Sequence, residues 1–484
     1  MGSLSKGLYT FFRLGLAESG SAKAFGIQRG EVTGRTDANY HHPRYRLLTE
    51  RLDQAKYPAK RIRDILVSIA GGATPLKGDE SLYAEDGIKF LRILNIGDGE
   101  LVFDDLNYIV SAVHEGELAR SRLAPDDVLM TITGRVGSAA RVTDDVLPAN
   151  INQHIVRLRI DQRKCLPQFL VEYLNSPIGL VLSNRPVSGG TRIALDYESI
   201  RDLRVPLPES LETQGRLVAH MSETRAARRA KLAEADALLG GLDGYLLTTL
   251  GLTPPPIPRT VFGIRAKELT DALNPDRYRG MQLEKHLPFT NHVSDVGTLL
   301  DARTAPEKEG PKDLWDWIRI DDLPNQPWQV ETLRTEPGEN IGGTYFEVQE
   351  NDILIARLGP TIINAKFVLC PKLQRRTVAS SEFLVLRCNA NWQPTVALWL
   401  LRAKLYRDIM YARSRGATPS RFRLDGDDLA AIPFPQLDKP TQDKITGEVR
   451  QRQRNARRLR AEAEVEWQAA KRWFEEQLLG PVQP

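Results

Sequence analysis

The sequence has little cysteine and no long hydrophobic run. Its three cysteines, Cys165, Cys370 and Cys388, lie far apart along 484 residues. Such spacing fits neither a disulfide framework nor a four-ligand zinc site, so we expect a reducing compartment. The apolar stretch from Leu8 to Leu16 is short and contains Arg13, and no run approaches the length of a membrane span. We therefore expect a soluble cytoplasmic protein that makes no use of a membrane.

Several catalytic motifs are also missing. No Gly-Lys dipeptide occurs, which excludes the common phosphate-binding loop with its lysine. Adjacent prolines occur only after Thr253, so the Asn/Asp-Pro-Pro-aromatic segment with which amino-methyltransferases hold a flipped base is absent. No lysine has Asp or Glu two positions before it, which removes an element of the commonest metal-dependent nucleases. These absences favour a binding protein over an enzyme.

The composition is that of an ordinary globular protein. Charged residues make up 26% and hydrophobic residues 41% of the chain, and the length is enough for two or three domains. The 66 Lys and Arg exceed the 62 Asp and Glu by only four. Any argument for an acidic partner must therefore rest on where the charges lie.

The chain contains a long internal repeat. Phe25-Gly26-Ile27 recurs as Phe262-Gly263-Ile264, and Asp127-Val128-Leu129 recurs as Asp352-Ile353-Leu354. Gly134 and Arg141 keep the spacing of the second pair, since Gly359 and Lys366 follow Asp352 in the same way. Val205 to Pro208 matches Ile432 to Pro435, and each match is followed by a Thr-Gln pair. A period this long indicates a duplicated domain and not a solenoid unit.

Each repeat has two parts of different composition. Residues 37–208 and 265–435 carry short apolar runs separated by Gly, Pro, Asn and Asp, which predict mixed α/β domains with strands at 128–132, 155–160, 353–356 and 383–387. Another predicted strand contains Trp315 and Trp317, whose rings we expect in the core, with a stacking platform as the alternative. Ser210 and Asp438 are candidate N-caps for two long helices predicted at 211–250 and 440–479.

The charges of the two predicted helices are complementary. Residues 211–231 and 443–460 are rich in Arg and Lys, whereas 232–250 and 461–478 carry mostly acids. Antiparallel pairing would set each basic half against an acidic half, and both helices have apolar residues at coiled-coil spacing. Separate packing of each helix on its own domain remains an alternative, as do two solvated faces; Gly240, Gly241 and Gly244 weaken the first helix.

Three features of the sequence point to a known family: Pro-x-Pro at 206–208 and 433–435 before each predicted long helix, the Asp-hydrophobic-Leu strands with their glycines, and Gly189-Gly190-Thr191-Arg192 before the first helix. Through these features, and over nearly its whole length, the chain resembles the DNA-specificity subunits of type I restriction-modification enzymes. The family often has Glu-Gln where this chain has Thr213-Gln214 and Thr441-Gln442. The second half also departs in Arg415-Gly416-Ala417-Thr418, where the basic residue is displaced to Arg421.

The resemblance implies an α+β fold with two tandem α/β target-recognition domains, each followed by a long helix. The helices would pair as an antiparallel coiled coil with pseudo-two-fold symmetry. The division that follows is an N-terminal segment 1–36 repeating the helix end, recognition domain 1 at 37–208, conserved helix 1 at 209–252, a linker at 253–270, recognition domain 2 at 271–435 and conserved helix 2 at 436–484.

The function implied is that of a non-catalytic subunit which reads a bipartite sequence on double-stranded DNA, one half-site per recognition domain. Its partners would be two modification (methyltransferase) subunits and ATP-dependent restriction subunits. The chain itself would need no cofactor, because S-adenosylmethionine, ATP and Mg²⁺ belong to those partners. A helical scaffold that does not read DNA, and a nuclease with an unusual active site, remain the alternatives.

Candidate DNA-binding residues are polar or basic side chains on loops. Arg135 follows Gly134 and is expected to read a base, and Asn152 and Gln153 present amides in front of a strand. At the aligned place the second half has Ser380, Ser381 and Glu382. Five arginines beside Gly-rich or Ser-rich loops are candidates for contacts to DNA phosphates: Arg192, Arg413, Arg415, Arg421 and Arg423.

Each of these residues also has a structural interpretation. Asn152 and Gln153 would then cap turns, His154 would be a satisfied structural histidine, and Arg135 would lie in a surface ion pair. A solvated face would account for the remaining arginines.

Overall fold

The described part of the chain forms two compact units. The structure is a computed structural model that describes residues 32, 40–75, 79–185, 194–252, 263–266, 275–285, 287–304, 313–324, 327–330, 333–416 and 418–480. The first unit comprises Met1–Lys231 and Ala461–Pro484, and the second comprises Leu232–Arg460. The segment 1–36, apart from Val32, and the linker 253–270, apart from 263–266, lie outside the described residues.

The first unit is mixed α/β. Its helices are α1 Pro43–Asp53, α2 Ser111–Glu115, α3 Pro167–Leu174, α4 Pro177–Asn184, α5 Tyr197–Asp202 and the first part of α6 Leu211–Gly240. Its strands are β1 Ala59–Arg61, β2 Leu66–Gly71, β3 Tyr83–Ala84, β4 Ile88–Leu91, β5 Asn107–Ile109, β6 Val128–Thr131, β7 Ala139–Arg141, β8 Ala149–Ile151, β9 Ile155–Ile160 and β10 Arg204–Pro206.

The second unit contains the same kinds of element. Its helices are α7 Leu242–Thr249, α8 Pro275–Glu284, α9 Gly359–Ile363, α10 Pro394–Arg402, α11 Lys404–Arg413, α12 Gly426–Ala430 and the first part of α13 Lys439–Leu479. Its strands are β11 Asn291–His292, β12 Gly297–Leu299, β13 Arg303–Thr304, β14 Leu314–Ile318, β15 Arg334–Pro337, β16 Thr344–Glu347, β17 Ile353–Ala356, β18 Phe367–Leu369, β19 Thr377–Ser380, β20 Phe383–Cys388 and β21 Pro433–Phe434.

The sheets of the two units have corresponding strand orders. The first unit has a sheet β2-β9-β6-β7 and the second has β12-β20-β17-β18, both antiparallel. A second sheet is β3-β5-β4-β8 in the first unit and β13-β16-β19-β14-β15 in the second. Each of these contains one parallel pair, β4 with β8 and β14 with β19. The predicted strands around Val128, Ile155, Ile353 and Phe383 are therefore confirmed.

Buried apolar side chains of the sheets and helices form the core of each unit. Phe169 and Met130 belong to the main cluster of the first unit, and Phe383 and Leu400 to that of the second. Trp315 is buried against Tyr345, as expected for a core aromatic, whereas Trp317 is only partly buried beside the same cluster. None of the described helices is long and apolar enough to span a membrane.

Both long helices begin with the same hydrogen-bond arrangement, an N-cap followed by a buried glutamine. Ser210 Oγ accepts from Thr213 N at 3.3 Å and Asp438 Oδ1 accepts from Thr441 N at 3.0 Å, which confirms the two predicted caps. The next residue is glutamine in each case. Gln214 accepts from Leu166 N at 2.8 Å and donates to Lys164 O and Pro208 O.

Gln442 repeats this pattern in the second unit. It accepts from Gln393 N at 2.8 Å and donates to Asn391 O and Leu437 O. Each glutamine therefore ties the start of a long helix to the loop in front of α3 or α10.

The aspartates of the two Asp-hydrophobic-Leu motifs, Asp127 and Asp352, stabilise the fold. Asp127 is buried and accepts from Ala124 N and from Arg159 Nε at 2.9 Å. Asp352 accepts from Gln349 N and holds Arg387 through Nε at 2.8 Å and Nη2 at 2.7 Å. The hydrogen bonds that Arg387 donates to Asp352 raise the pKa of Arg387.

Within the first unit, α6 contacts the last part of α13. Rings of His220 and Trp473 lie 3.9 Å apart. Further along α6, Arg228 Nη2 is 3.4 Å from Glu464 Oε2 and Lys231 Nζ is 3.7 Å from Glu462 Oε2. Contact positions therefore rise along α6 as they fall along α13.

The second unit shows the same trend. Ala235 packs with Ala456 and Leu459, and Arg460 Nη2 lies 2.6 Å from Asp236 Oδ1. Past the break at Gly240 and Gly241, Leu242 and Leu246 of α7 share a buried cluster with Ile445 and Val449. The two long helices are confirmed, with the first divided into α6 and α7.

Buried charges join the helices of the first unit to its α/β part. Arg225 Nη2 is 2.6 Å from Glu172 Oε2, with both side chains almost fully buried. Asp98 accepts from Trp467 Nε1 at 2.7 Å and from Lys471 Nζ at 2.8 Å. Burial opposes the charge of Asp98, but Lys471, Trp467 and Arg225 outweigh that effect and lower its pKa.

Candidate nucleic-acid interface

One exposed edge of the first unit is formed by the loop after β6 and the turn before β9. Ile132 N donates to His154 O at 3.0 Å, and Thr133 Oγ1 lies 2.8 Å from His154 Nδ1. Gly134 has a φ of +68°, a left-handed conformation that favours glycine. The first rim is defined as Thr133, Arg135, Gln153 and His154.

Arg135 is exposed on this rim but anchored to the backbone. Its Nη2 donates to Ile93 O at 3.0 Å and to Ile96 O at 2.7 Å. Across the described ranges no carboxylate lies within ion-pair distance of its guanidinium, so the surface ion pair considered from the sequence is not observed. Since arginine has five N–H donors, the anchored side chain keeps further donors for a ligand.

Asn152 and Gln153 differ sharply in their surroundings. Asn152 is buried, and its Oδ1 accepts from His154 N at 3.1 Å, so its side chain caps the turn. Gln153 is exposed, hydrogen bonds to Thr74 and lies 3.1 Å from His154 Nε2. Gln153 is therefore the amide that the first rim presents.

The second unit has an edge with matching backbone contacts. Arg357 N donates to Glu382 O at 3.1 Å, as Ile132 N does to His154 O. Leu424 N donates to Arg357 O at 2.8 Å, as Leu195 N does to Ile132 O at 2.9 Å. The isolated bridges Leu358 to Arg423 and Thr133 to Ala194 also correspond. The second rim is defined as Arg357, Glu382, Arg415, Arg421 and Arg423.

The second rim is rich in arginine, and most of these side chains are paired. Arg423 Nη2 lies 2.7 Å from Glu382 Oε1, Arg415 Nη2 lies 3.0 Å from Asp428 Oδ1, and Arg357 Nη2 lies 2.7 Å from Asp425 Oδ1. Arg421 is exposed, and the described residues offer it no ion pair. Excess positive charge at this rim therefore comes from Arg421.

Arg413 does not belong to this rim. Arg413 Nη2 lies 3.1 Å from Glu284 Oε2, and its Nη1 donates to Asp428 O at 2.9 Å. These contacts tie α11 to α8 and to α12, which is a structural role. Arg192 falls in the stretch 186–193, outside the described residues. In sequence it precedes Ala194 by two positions, as Arg421 precedes Arg423.

Sequence reasoning missed one member of the second rim, Arg357. It directly follows β17 at the position that Ile132 holds after β6, and the repeat of the two strands was the available signal. Glu382 lies where the first half has His154, as the alignment of the two halves indicated. Groups of His, Cys, Asp and Glu that could hold a metal ion are absent from the described ranges.

The structure thus defines two mixed α/β units, each with a polar rim and a share of the long helices. No family model matches the chain. The specificity subunit of the type I restriction enzyme EcoBI from Escherichia coli is 32% identical over 144 residues, which are 29% of this chain and 29% of that protein. The match confirms the resemblance to type I specificity subunits over that stretch, and the matched region spans less than a third of the relative's length.

Three solved structures are similar along most of the chain at low identity. A chain of a type I restriction-modification system is 15% identical, with a TM-score of 0.47, covering 86% of this chain and 97% of its own. The S subunit from M. genitalium is 12% identical, with a TM-score of 0.39, covering 89% and 98%. The HsdS subunit from Thermoanaerobacter tengcongensis is 16% identical, with a TM-score of 0.33, covering 87% and 96%.

Proposed function

We propose that this chain is the non-catalytic DNA-specificity subunit of a type I restriction-modification complex. It reads a bipartite target on double-stranded DNA, with one half-site for recognition domain 37–208 and the other for recognition domain 271–435. The proposal includes a cytoplasmic location, where the chain meets its DNA.

One observation carries this proposal: matched backbone contacts present different side chains on the two rims. His154 and Ala194 in the first unit stand where Glu382 and Arg423 stand in the second. Base readout depends on the donors and acceptors that a protein presents in the groove. A shared framework with different polar groups is therefore suited to two different half-sites.

The long helices hold the reading parts in this proposal. We propose that conserved helix 1 at 209–252 and conserved helix 2 at 436–484 pair as an antiparallel coiled coil with pseudo-two-fold symmetry. Support comes from the opposite order of contacts along the helices, from Trp473 with His220 to Glu462 with Lys231. The basic half of each helix then faces acids of the other.

Catalysis belongs to the partners in this proposal. Two modification subunits would bring S-adenosylmethionine, and restriction subunits would bring ATP and Mg²⁺. The missing catalytic motifs of this chain agree with that division.

Mapping of methylated bases tests the proposal. The chain is expressed with its modification subunit in a host without DNA methylation, and the genome is read by single-molecule sequencing. We expect methylation in a motif of two parts separated by a fixed spacer, and none when this chain is omitted. Methylation that does not depend on the chain, or a continuous motif, would contradict the proposal.

Two further assays separate the alternatives. A complex that forms with the modification subunit but shifts no DNA in a gel would make the chain a helical scaffold. Metal-dependent DNA cleavage by the isolated chain would make it a nuclease.

A further inference from the structure

Arg423 is held more rigidly than an ordinary surface arginine. Its backbone exchanges two hydrogen bonds with Arg415, at 2.8 and 2.9 Å. On its other side Gly359 N donates to Phe422 O at 2.7 Å, and Leu424 N donates to Arg357 O at 2.8 Å. The backbone position from which this side chain extends is therefore fixed on both sides.

The Arg423 guanidinium is also oriented. Glu382 accepts from Arg423 Nη2 at 2.7 Å and from Nε at 3.3 Å. Glu382 is itself fixed, because its carbonyl oxygen accepts from Arg357 N at 3.1 Å and its N–H donates to Ser380 Oγ at 3.3 Å. The carboxylate thus occupies the Nε edge of the guanidinium, while the Arg423 side chain remains 52% exposed.

Among the described residues no partner occupies the other edge of this guanidinium, and that edge has the geometry of a base reader. Arginine is a planar fork of five donors, and Glu382 takes the Nε hydrogen and one Nη2 hydrogen. The Nη1 and outer Nη2 hydrogens are left parallel, a pattern that matches O6 and N7 of guanine in the major groove.

Charge argues against a phosphate as the ligand of Arg423. A carboxylate 2.7 Å from the guanidinium neutralises it and repels a second anion at the same place. Guanine O6 and N7 are neutral acceptors and carry no such penalty. Arg421, which has no ion pair among the described residues, is the better phosphate ligand of this rim.

We propose that Arg423 donates two hydrogen bonds to one guanine of the half-site read by the second unit, and that Glu382 positions its guanidinium. This rests on the proposed function. The first unit has Ala194 at the corresponding bridge, so its half-site lacks this contact.

The test measures base preference in the complex with the modification subunit. A DNA pool keeps the first half-site fixed and randomises the second, and bound sequences are counted at several salt concentrations. Arg423→Ala should lower the preference for guanine at one position about ten- to hundredfold, with other positions retained. Glu382→Gln should lower the same preference by a smaller factor and raise affinity for random DNA, because it removes a negative charge.

Arg421→Ala and Arg334→Ala are the comparison variants. Arg421→Ala should weaken binding to all sequences and reduce the salt dependence by about one counterion, with every base preference kept. Arg334 is an exposed arginine of the same unit that is paired with Glu336 on β15 and is not part of the second rim, and its replacement should change neither quantity. The fixed first half-site reports whether each variant is folded.

Different outcomes contradict this inference and the proposed function. An unchanged guanine preference in Arg423→Ala contradicts this inference while leaving the proposed function in place. A uniform loss over the second half-site, with a reduced salt dependence, makes Arg423 a phosphate ligand and also contradicts it. A wild-type complex that selects no sequence contradicts the proposed function itself.

Discussion

Gln214 and Gln442 show how one buried amide can fix the start of a long helix. Each satisfies one backbone N–H and two backbone carbonyl groups of the neighbouring loops. An unsatisfied buried polar group costs about 1–3 kcal/mol.

Gln442→Ala should therefore lower the free energy of unfolding by about 2–3 kcal/mol, because it leaves the Gln393 N–H unpaired. Gln451→Ala, at an exposed position of the same helix, should change it little. Urea unfolding followed by tryptophan fluorescence measures both. Equal midpoints for the two variants would show that the amide contacts do not stabilise the helix start.

Glu475 should make the first unit sensitive to pH. Burial raises the pKa of this carboxyl to about 7. Four neighbouring groups favour the charged form but do not outweigh burial: the Ile178 N–H, the Ser176 hydroxyl, Arg51 and Lys471. Its ordinary value is 4.5, so between these values the folded chain keeps a proton that the unfolded chain has released. The free energy of unfolding falls as pH rises through this window and is constant above it.

Glu475→Gln should remove that pH dependence and stabilise the unit at pH 8 by up to about 3 kcal/mol, with no gain at pH 4. Glu476→Gln is the matched exposed control. Unfolding curves at both pH values decide the matter. The same stability change at pH 4 and pH 8 would mean that Glu475 does not titrate in this window.

The residue scale is also where sequence reasoning reached its limit. Asn152 and Gln153 are neighbours with the same chemistry, yet one is buried in a turn and the other exposed. Arg413 resembled Arg415 in the sequence, but its partner Glu284 lies on α8, far away along the chain. Periodicity and spacing do not report such contacts, because they depend on how distant elements pack.

At the scale of elements, the long helices approach each other closely through alanines. Ala235 and Ala456 are fully buried together beside Leu459. Because the helices approach closely at these alanines, there is no space for a larger side chain, and overpacking costs about 1–3 kcal/mol.

Ala456→Leu should destabilise the second unit by this amount, and Ala461→Leu, at an exposed position of α13, should not. Thermal unfolding of both variants provides the comparison. If Ala456→Leu unfolds at the wild-type temperature, the helices are not in close contact there.

Helices and strands were predicted from the sequence more accurately than individual side-chain contacts. Apolar runs gave β6, β9, β17 and β20 almost to the residue, and the caps at Ser210 and Asp438 located both helix starts. The break between α6 and α7 lies at Gly240 and Gly241, where glycine weakens a helix. Short edge strands such as β13 were not predicted, because they have too few residues to produce a periodic signal.

At the scale of the whole molecule, the repeat predicts independent readout. Exchanging residues 37–208 for another such domain should change one half-site and leave the other, because the rims use separate side chains on matching backbones. Methylation mapping of the hybrid complex is the measurement. If both half-sites change together, the two units do not read DNA separately.

The first unit is interrupted in sequence by the whole of the second. Trp467 and Phe474 lie in the same buried cluster as Tyr45 and Phe169, yet the ribosome makes them only after the whole second unit. At about 5–20 residues per second, synthesis of the second unit alone takes roughly 10 to 50 seconds, and Tyr45 and Phe169 lack these partners throughout. The second unit, which is continuous, is available to fold during that interval. In the cell, the half of the molecule that is translated first is thus the half that matures last.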